Sequence, residues 1–286
     1  GLLYEMAAHL RAALIRSCGR LLTADAAPIV SSQHHLRRAA ASSAATAPPD
    51  AVAPAPRWVF LGAPGVGKGT YSTRVAKALG VPHVAAGDLV RSEIKSGTER
   101  GNQMKATVSA GGLLPDSLVF EILEEKLGEY AAQGQHGFVL DGFPRTAAQA
   151  GALQAKLQID LAVNLGLREE VLVEKCMGRR ICSKCQKNWN VADINLPASE
   201  GKPAIVMPPL NPPTECFPLM ETRSDDTEPV IRKRLEVYKA EAGPVEAFYR
   251  DQGILLDFEI TAGIPETLPN LISTLSAAAG SNISLQ

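Results

Sequence analysis

Short apolar runs alternate along this chain with longer segments in which apolar residues recur at helical spacing. The runs lie at residues 58–61, 81–85, 138–140, 161–165 and 254–260. Strands that alternate with helices predict a parallel sheet, and near-continuous apolar strands are typical of sheets covered by helices on both faces. We therefore expect an α/β fold, a three-layer sandwich around a parallel five-stranded sheet.

A glycine-rich sequence, GAPGVGKGT, follows the first run at residues 62–70. Val75, Ala76 and Leu79 then recur at helical spacing, so this segment lies between a predicted strand and a predicted helix. Glycines in that context let backbone N–H groups turn towards phosphate oxygens, and the helix N-terminus adds partial positive charge. Lys68 supplies a mobile full charge. These features favour a phosphate-binding loop (P-loop) over an ordinary strand–helix turn.

Glycine and aspartate follow the predicted strands at their carboxyl ends, as Gly62, Gly87-Asp88 and Asp141-Gly142. Ligands of open parallel sheets bind at that edge. We therefore expect these segments to converge on one site.

Two insertions interrupt the alternation of strands and helices. Residues 88–129 predict several short helices, and residues 181–222 form a long excursion rich in proline. A long excursion in a compact domain is often an active-site lid. Arg179 and Arg180 precede it and Arg223 follows it, so its closure would bring guanidinium groups to the phosphates. The alternative is a solvated surface loop.

Composition excludes several classes of protein. The chain has 286 residues, 45% of them hydrophobic and 21% charged, and a formal net charge of −1. This agrees with one or two α/β domains and indicates no basic face for nucleic acid. No apolar run has the length of a membrane span, so we expect no membrane partner. Five cysteines do not resemble a disulfide framework and favour a reducing compartment.

The first 57 residues differ from the rest of the chain. We expect the protein to start at Met6, and from there to residue 56 only Asp25 and Asp50 are acidic, whereas five arginines are present. Such an acid-poor, amphipathic leader predicts an organelle transit peptide, followed by a disordered alanine- and proline-rich linker at residues 39–56. A disordered tail without a targeting role is the alternative. Mitochondrial matrix and plastid stroma both remain open as destinations.

Beyond the leader, residues 58–269 resemble the adenylate kinases, specifically plant organellar members with a long lid. The resemblance rests on motifs in the family's order: GAPGVGKGT at residues 62–70, GDLVR at 87–91, LDGFPRT at 140–146, GRR at 178–180, and RSDD followed by VIRKR within 223–234. It implies a monomeric kinase domain at residues 58–286, with a monophosphate-binding segment at 85–114 and the lid at 181–222. The implied reaction is reversible transfer of the γ-phosphoryl group of MgATP to AMP, giving two ADP.

The resemblance also implies roles for individual residues. ATP would be bound by the loop, a lid arginine and an adenine contact: Gly65, Val66, Gly67, Lys68, Gly69, Thr70, Arg179 and Ile264. AMP and the phosphates would be bound by Ala86, Arg91, Gly112, Leu113, Leu114, Gly142, Phe143, Pro144, Arg145, Gln149, Arg223 and Arg234. The catalytic set would be Lys68, Arg179, Arg223 and Arg234, and Asp88 and Asp141 would hold Mg²⁺ through water. No organic cofactor is expected.

Several positions depart from the family pattern. Ala86 stands where AMP kinases usually have threonine, as in the uridylate–cytidylate kinases, whereas Gln149 and the long lid favour adenine. Lys175 replaces an arginine that often stacks on the ATP adenine. A UMP/CMP kinase is therefore one alternative, and a nucleotide-binding protein without turnover is another.

The lid cysteines match only part of a zinc site. Cys182, Cys185 and Cys216 correspond to the first three ligands of the family's zinc-bearing lids, and Leu219 takes the fourth position. A structural zinc requires four ligands. We therefore do not expect bound zinc and favour a hydrogen-bonded or redox-sensitive thiol pair.

Overall fold

The computed structural model describes residues 55–199 and 201–280. The predicted transit peptide and most of its linker lie outside these residues. The central sheet contains the strands β1 (Arg57–Gly62), β2 (His83–Ala85), β3 (Phe138–Asp141), β4 (Leu161–Gly166) and β10 (Leu255–Glu259). These strands are all parallel, in the order β2-β3-β1-β4-β10. The expected five-stranded parallel sheet is confirmed.

Alternate residues of β1 face opposite sides of the sheet, as a strand's period of two requires. Trp58 and Phe60 pack in one apolar cluster, against α1 (Lys68–Leu79), α6 (Leu172–Met177) and α8 (Ile264–Ala279). Val59 and Leu61 pack in the other, against α4 (Asp116–Ala132) and α5 (Ala147–Leu157). The long helix α7 (Glu228–Asp251) contributes to both clusters. Helices therefore cover both faces, and the sandwich has three layers.

The first insertion consists of helices, as expected. Between β2 and β3 lie α2 (Ala86–Ser96), α3 (Glu99–Ser109) and α4. Thr98 caps α3, since its side chain accepts a hydrogen bond from the Gly101 N–H. Met104 is fully buried in a small apolar cluster that these helices share, so the insertion has its own core.

The proline-rich insertion is more regular than the sequence indicates. Its described residues, together with the two before it, form five short strands: β5 (Arg179–Cys182), β6 (Asn188–Asn190), β7 (Ile194–Leu196), β8 (Ile205–Met207) and β9 (Met220–Glu221). The strands β6, β5 and β9 form one small antiparallel sheet, and β7 pairs with β8 in a hairpin.

The two small sheets differ in their contacts with the rest of the domain. Ile194, Ile205 and Met207 of the hairpin are buried in the same apolar cluster as Trp58 and Phe60. The insertion is therefore not one uniform flap, because its central hairpin is packed on the domain core.

Candidate active site

The glycine-rich loop connects the end of β1 to the start of α1. Gly65 has a φ of 89°, and a Cβ atom there would lie 2.6 Å from the Leu172 carbonyl oxygen, so glycine is required for both space and conformation. Gly67, with a φ of 102°, precedes the first residue of α1, Lys68. The Thr70 N–H already donates to the Gly67 carbonyl oxygen at 2.9 Å, whereas the N–H groups of Lys68 and Gly69 come too early in the helix for an intrahelical partner and are available to an anion.

Lys68 lies over the loop. Its Nζ atom donates hydrogen bonds to the carbonyl oxygens of Gly62, at 2.7 Å, and Ala63, at 3.0 Å. The pKa of Lys68 is lowered to about 8, mainly by burial and to a smaller extent by the nearby Arg145 and Arg234, whereas the Asp141 carboxylate acts in the opposite direction. An anionic ligand would restore the charge, because a nearby negative charge favours the protonated amine.

One cavity of about 870 Å³ lies above the loop. Its lining includes all the residues expected to bind ATP: Gly65, Val66, Gly67, Lys68, Gly69, Thr70, Arg179 and Ile264. Asp88, Asp141 and Pro144 line it as well, together with four more of the predicted arginines, Arg91, Arg145, Arg223 and Arg234. The fold therefore brings together residues that are far apart in the sequence.

Two aspartates just before α7 pair with two of the predicted arginines. Arg179 Nε lies 2.7 Å from Asp226 Oδ2, and Arg234 Nη1 lies 3.0 Å from Asp225 Oδ2. Arg223 Nη2 lies 3.0 Å from Asn188 Oδ1. The Asp226 side chain is fully buried, so its pairing with Arg179 fixes the direction of that guanidinium group.

The guanidinium groups of Arg145 and Arg223 have lowered pKa values. Burial is the largest cause, and it lowers the pKa of Arg145 and of Arg223 to about 10 in each case. Neighbouring arginines add to the effect, Arg234 for the first and Arg179 for the second. The cavity thus concentrates positive charge, and polyphosphate is the kind of ligand that would relieve the repulsion.

A smaller cavity of about 70 Å³ adjoins this region. Its lining includes the residues expected at the monophosphate: Ala86, Arg91, Gly112, Leu113, Leu114, Gly142, Phe143, Arg145, Gln149 and Arg234. Pro144 and Arg223, assigned to the same ligand, line the large cavity instead. Arg91, Arg145 and Arg234 line both cavities, so their guanidinium groups belong to the wall that the two cavities share.

Comparison with known proteins identifies the family of this chain. The sequence profile described as adenylate kinase matches residues 60–254. The chain belongs to the adenylate kinase family. An adenylate kinase of Solanum tuberosum is 51% identical over 228 residues, which cover 79% of each chain. A probable adenylate kinase 1, chloroplastic, of Oryza sativa subsp. japonica is 50% identical over 220 residues, covering 77% of this chain and 75% of the relative.

A third relative is similar over the same part of the chain. Adenylate kinase 1, chloroplastic, of Arabidopsis thaliana is 49% identical over 227 residues, covering 78% of this chain and 80% of that protein. Membership of the adenylate kinase family makes the chain a nucleoside monophosphate kinase, a phosphotransferase. In the parts of the chain that the structure describes, no helix has both the length and the apolar character to span a membrane.

Two carboxylates fit a magnesium ion bound through water. Asp141 ends β3. A Cβ atom at Gly69 would lie 3.2 Å from its Oδ2 atom, so this carboxylate lies beside the glycine-rich loop. Burial raises the pKa of Asp141, and Lys68 opposes the shift. Burial also acts to raise the pKa of Asp88, but its pairing with Arg91 and Arg223 results in a lowered value. Mg²⁺ prefers few carboxylates, several waters and phosphate oxygens, which agrees with this donor set.

Sequence reasoning missed several lining residues of the large cavity. Trp189 of β6 lines it, and so do Pro208 and Pro209, which follow β8. A bridge between Val206 and Ala262 brings this part of the lid beside the segment before α8. No local motif marks these residues, because their position depends on the pairing of lid strands distant in sequence.

The three lid thiols converge. The sulfur atoms of Cys182, Cys185 and Cys216 lie within 4.8 Å of one another, with 3.7 Å between the Sγ atoms of Cys185 and Cys216. Thiol hydrogen bonding and burial raise the pKa of Cys216 to about 12, whereas a backbone hydrogen bond from Cys185 lowers that of Cys182. Leu219 lies in the short 3-10 turn after Cys216 and offers no ligand atom.

Proposed function

We propose that this chain catalyses the reversible reaction of MgATP and AMP to two ADP, with the residue roles that the sequence indicates. The proposal rests on the observation that Arg91 and Arg145 line both cavities. One cavity contains the phosphate loop, and the other contains Gln149. A shared wall of guanidinium groups between a donor and an acceptor cavity suits direct transfer of a phosphoryl group.

On the donor side, the loop residues and Lys68 bind the ATP phosphates. The backbone N–H groups of the loop are fixed hydrogen-bond donors, and the mobile Lys68 amine stays in contact with the phosphoryl group during its transfer. The adenine lies towards Ile264, where Pro208 and Trp189 complete the wall. Lys175 also lines the cavity, in place of the stacking arginine of many relatives.

On the acceptor side, Arg91 and Arg145 bind the AMP phosphate. Arginine suits this role because its planar fork binds phosphate oxygens in pairs and stays charged. Gly112, Leu113 and Leu114 lie beside the ribose and base, and Gln149 reads the base edge. The monophosphate-binding segment is residues 85–114.

The transferring group is neutralised by Arg179, Arg223 and Arg234. Phosphoryl transfer through a loose transition state requires positioning and charge stabilisation more than acid–base chemistry. Closure of the lid, residues 181–222, also excludes water, which would otherwise compete with AMP as the acceptor. Asp88 and Asp141 hold the water ligands of Mg²⁺, which offsets the charge of the phosphates.

The acceptor base is the point on which the alternatives differ. Ala86 is 4% exposed and lines the smaller cavity, so it supplies no hydroxyl group to a base there. This feature favours a UMP/CMP kinase, whereas Gln149 and the family relationship favour AMP. A protein that binds nucleotide without turnover is the remaining alternative.

An acceptor panel tests these alternatives on the full chain. Initial rates are measured with MgATP and AMP, UMP or CMP, and nucleotide binding is measured in parallel by calorimetry. We expect the highest kcat/KM with AMP. Faster phosphorylation of UMP would reject the adenine assignment, and ATP binding without transfer to any acceptor would reject the enzymatic role.

We also propose that the protein acts in the plastid stroma as a monomer. Several relatives are named chloroplastic, and none of those we describe is named mitochondrial. Residues 1–57 fused to a fluorescent protein should direct it into chloroplasts of plant cells. Import into mitochondria instead would contradict the proposal, and light scattering of the purified chain would test the monomer.

A further inference from the structure

Gln149 is held at both ends of its amide. The residue is 2% exposed, and it lies in the first turns of α5. Its Oε1 atom accepts a hydrogen bond from the Arg145 N–H at 2.7 Å, and its Nε2 atom donates to Asp116 Oδ1 at 2.6 Å. Asp116 is the first residue of α4 and is absent from the lining of both cavities.

These two contacts determine which end of the amide is the donor. If the amide turned over, its N–H₂ group would face the Arg145 N–H, and its carbonyl oxygen would face the Asp116 carboxylate. Both contacts would then be repulsive, because donor would meet donor and acceptor would meet acceptor. Among residues 55–199 and 201–280 these are the amide's partners, so one N–H and one oxygen lone pair are left for a ligand.

The direction of the amide matters because related bases differ only in their hydrogen-bonding pattern. Adenine presents an acceptor at N1 and a donor at N6. Hypoxanthine has the same shape but presents a donor at N1 and an acceptor at O6. If both bases bind in the same position, an amide with a fixed direction forms hydrogen bonds with one of these edges and meets the other with donor against donor and acceptor against acceptor.

We propose that Asp116 is a specificity-determining positioning residue, which holds the Gln149 amide in the direction that selects 6-aminopurine over 6-oxopurine monophosphates. The proposal rests on the proposed function, in which Gln149 reads the base of AMP. Asp116 itself does not touch the nucleotide. It acts by preventing the amide from turning over, which would otherwise require breaking only the Arg145 contact.

The test compares the AMP:IMP ratio of kcat/KM in three variants and the full-length wild type. Asp116→Ala removes the acceptor, and we expect the ratio to fall about tenfold, the scale of one hydrogen bond to a charged acceptor. The fall should come mainly from a higher KM for AMP and a gain with IMP, with kcat for AMP nearly unchanged. Asp116→Asn keeps an acceptor oxygen without the charge but can also turn over and donate, so it should recover part of the ratio.

Glu99→Ala is the matched control. Glu99 is an exposed acidic residue in the first turn of α3, so this change also removes a negative charge from a helix start in the same region. We expect the wild-type ratio. The pair Asp116→Ala and Glu99→Ala thus separates the hydrogen bond from the general effect of charge at a helix N-terminus.

The outcomes distinguish the positioning role from the proposed function. If the wild type prefers AMP and Asp116→Ala keeps its AMP:IMP ratio, the positioning role is wrong while the function stands. A similar loss in Asp116→Asn and Asp116→Ala would also reject it, since charge alone would then explain the effect. A wild type that prefers UMP, or that transfers to no acceptor, would reject the proposed function itself. Should Asp116→Ala not fold, Asp116→Ser and Asp116→Asn allow the same comparison.

Discussion

At the scale of single residues, the Lys68 amine is already positioned at the phosphate loop in the free protein. Two carbonyl oxygens of the loop accept hydrogen bonds from its amine, and its pKa of about 8 reflects burial before any phosphate binds. Burial therefore makes the protonated amine unfavourable in the free protein, and a bound polyanion makes it favourable. This difference is the physical basis for its proposed role at the transferring phosphoryl group.

Replacement of Lys68 with methionine should lower kcat/KM for the AMP reaction by at least about a hundredfold. The protein should stay folded, because methionine fills similar space and carries no buried charge. Initial rates and circular dichroism check both parts. Near-normal turnover in the variant would contradict the role assigned to Lys68, and Arg232→Met, an exposed change on α7, is the control.

The same variant yields a prediction about pH. In the unfolded chain Lys68 titrates near 10.5, and in the folded protein near 8, so between these values the unfolded state binds more protons. Stability of the wild type should therefore rise relative to Lys68→Met as pH increases from 8 towards 10.5. Urea unfolding of both proteins across this range measures the difference, and parallel curves would contradict the lowered pKa.

At the scale of elements, the lid contains a part that is anchored and a part that carries thiols. Arg168 lies outside the lid, after β4, and is 8% exposed. Its guanidinium group donates to the carbonyl oxygens of Pro197, at 3.2 Å, and Pro203, at 3.4 Å, and to Ser199 Oγ, at 3.0 Å. These contacts hold the turn end of the β7–β8 hairpin on the domain core.

Arg168→Met should therefore loosen the hairpin. We expect a loss of about 1–3 kcal/mol in the free energy of unfolding, because several buried hydrogen bonds lose their donor. Faster proteolysis near Pro197 should accompany it. Arg232→Met, which removes only an exposed pair with Glu228, should cost less than about 0.5 kcal/mol. Equal losses in the two variants would contradict the anchoring role.

Among residues 55–199 and 201–280, three cysteines and no fourth ligand form the thiol cluster at the other end of the lid. Leu219→Cys should supply it, since Leu219 follows Cys216 in the same short turn and its carbonyl oxygen accepts the Ser183 N–H at 2.9 Å. We expect the variant to bind one zinc ion per chain tightly, with a melting temperature that falls when a chelator is added. Elemental analysis and thermal unfolding measure this.

Phe217→Cys is the matched control for that variant. It adds a thiol to the same turn, but the Phe217 side chain is 64% exposed and directed to solvent. We expect weaker zinc binding and no change in melting temperature on chelation. Zinc bound tightly by the wild type, or by both variants alike, would contradict the view that the fourth position limits this site.

At the scale of the whole molecule, one cavity connects the loop, the lid and the segment before α8. The chain has two tryptophans. Trp58 is buried in the core at 2% exposed, whereas Trp189 lines the cavity from the lid. Their different positions make fluorescence a reporter of events between lid and core.

In a Trp58→Phe variant, MgATP should cause a saturable change in tryptophan emission, because the ligand enters the surroundings of Trp189. The buried indole Nε1 atom of Trp189 has no hydrogen-bond partner among the described residues, so a new polar neighbour should shift its emission. Trp189→Phe is the control and should show little response. A response that follows Trp58 instead would contradict the placement of the ATP site.

Much of this protein could be read from its sequence, because the decisive features are local. The strand runs, the glycine-rich loop and the motifs near Asp141 and Arg179 each depend on residues close together in the chain. The parallel direction of the strands follows from the alternation of strands and helices, and the loop's chemistry follows from glycine conformations and one lysine. The fold and the family relationship were therefore accessible before the structure.

Only the tertiary structure decided how distant residues meet. The pairing of Gln149 with Asp116, the anchoring of the hairpin by Arg168 and the place of Trp189 all join segments that no local pattern connects. The insertion at residues 181–222 reads as irregular because its very short strands lie between prolines. The β7–β8 hairpin is stabilised by packing on the core rather than by its own propensity. A local sequence pattern does not predict such contacts, because they form only when distant segments pack together in the folded chain.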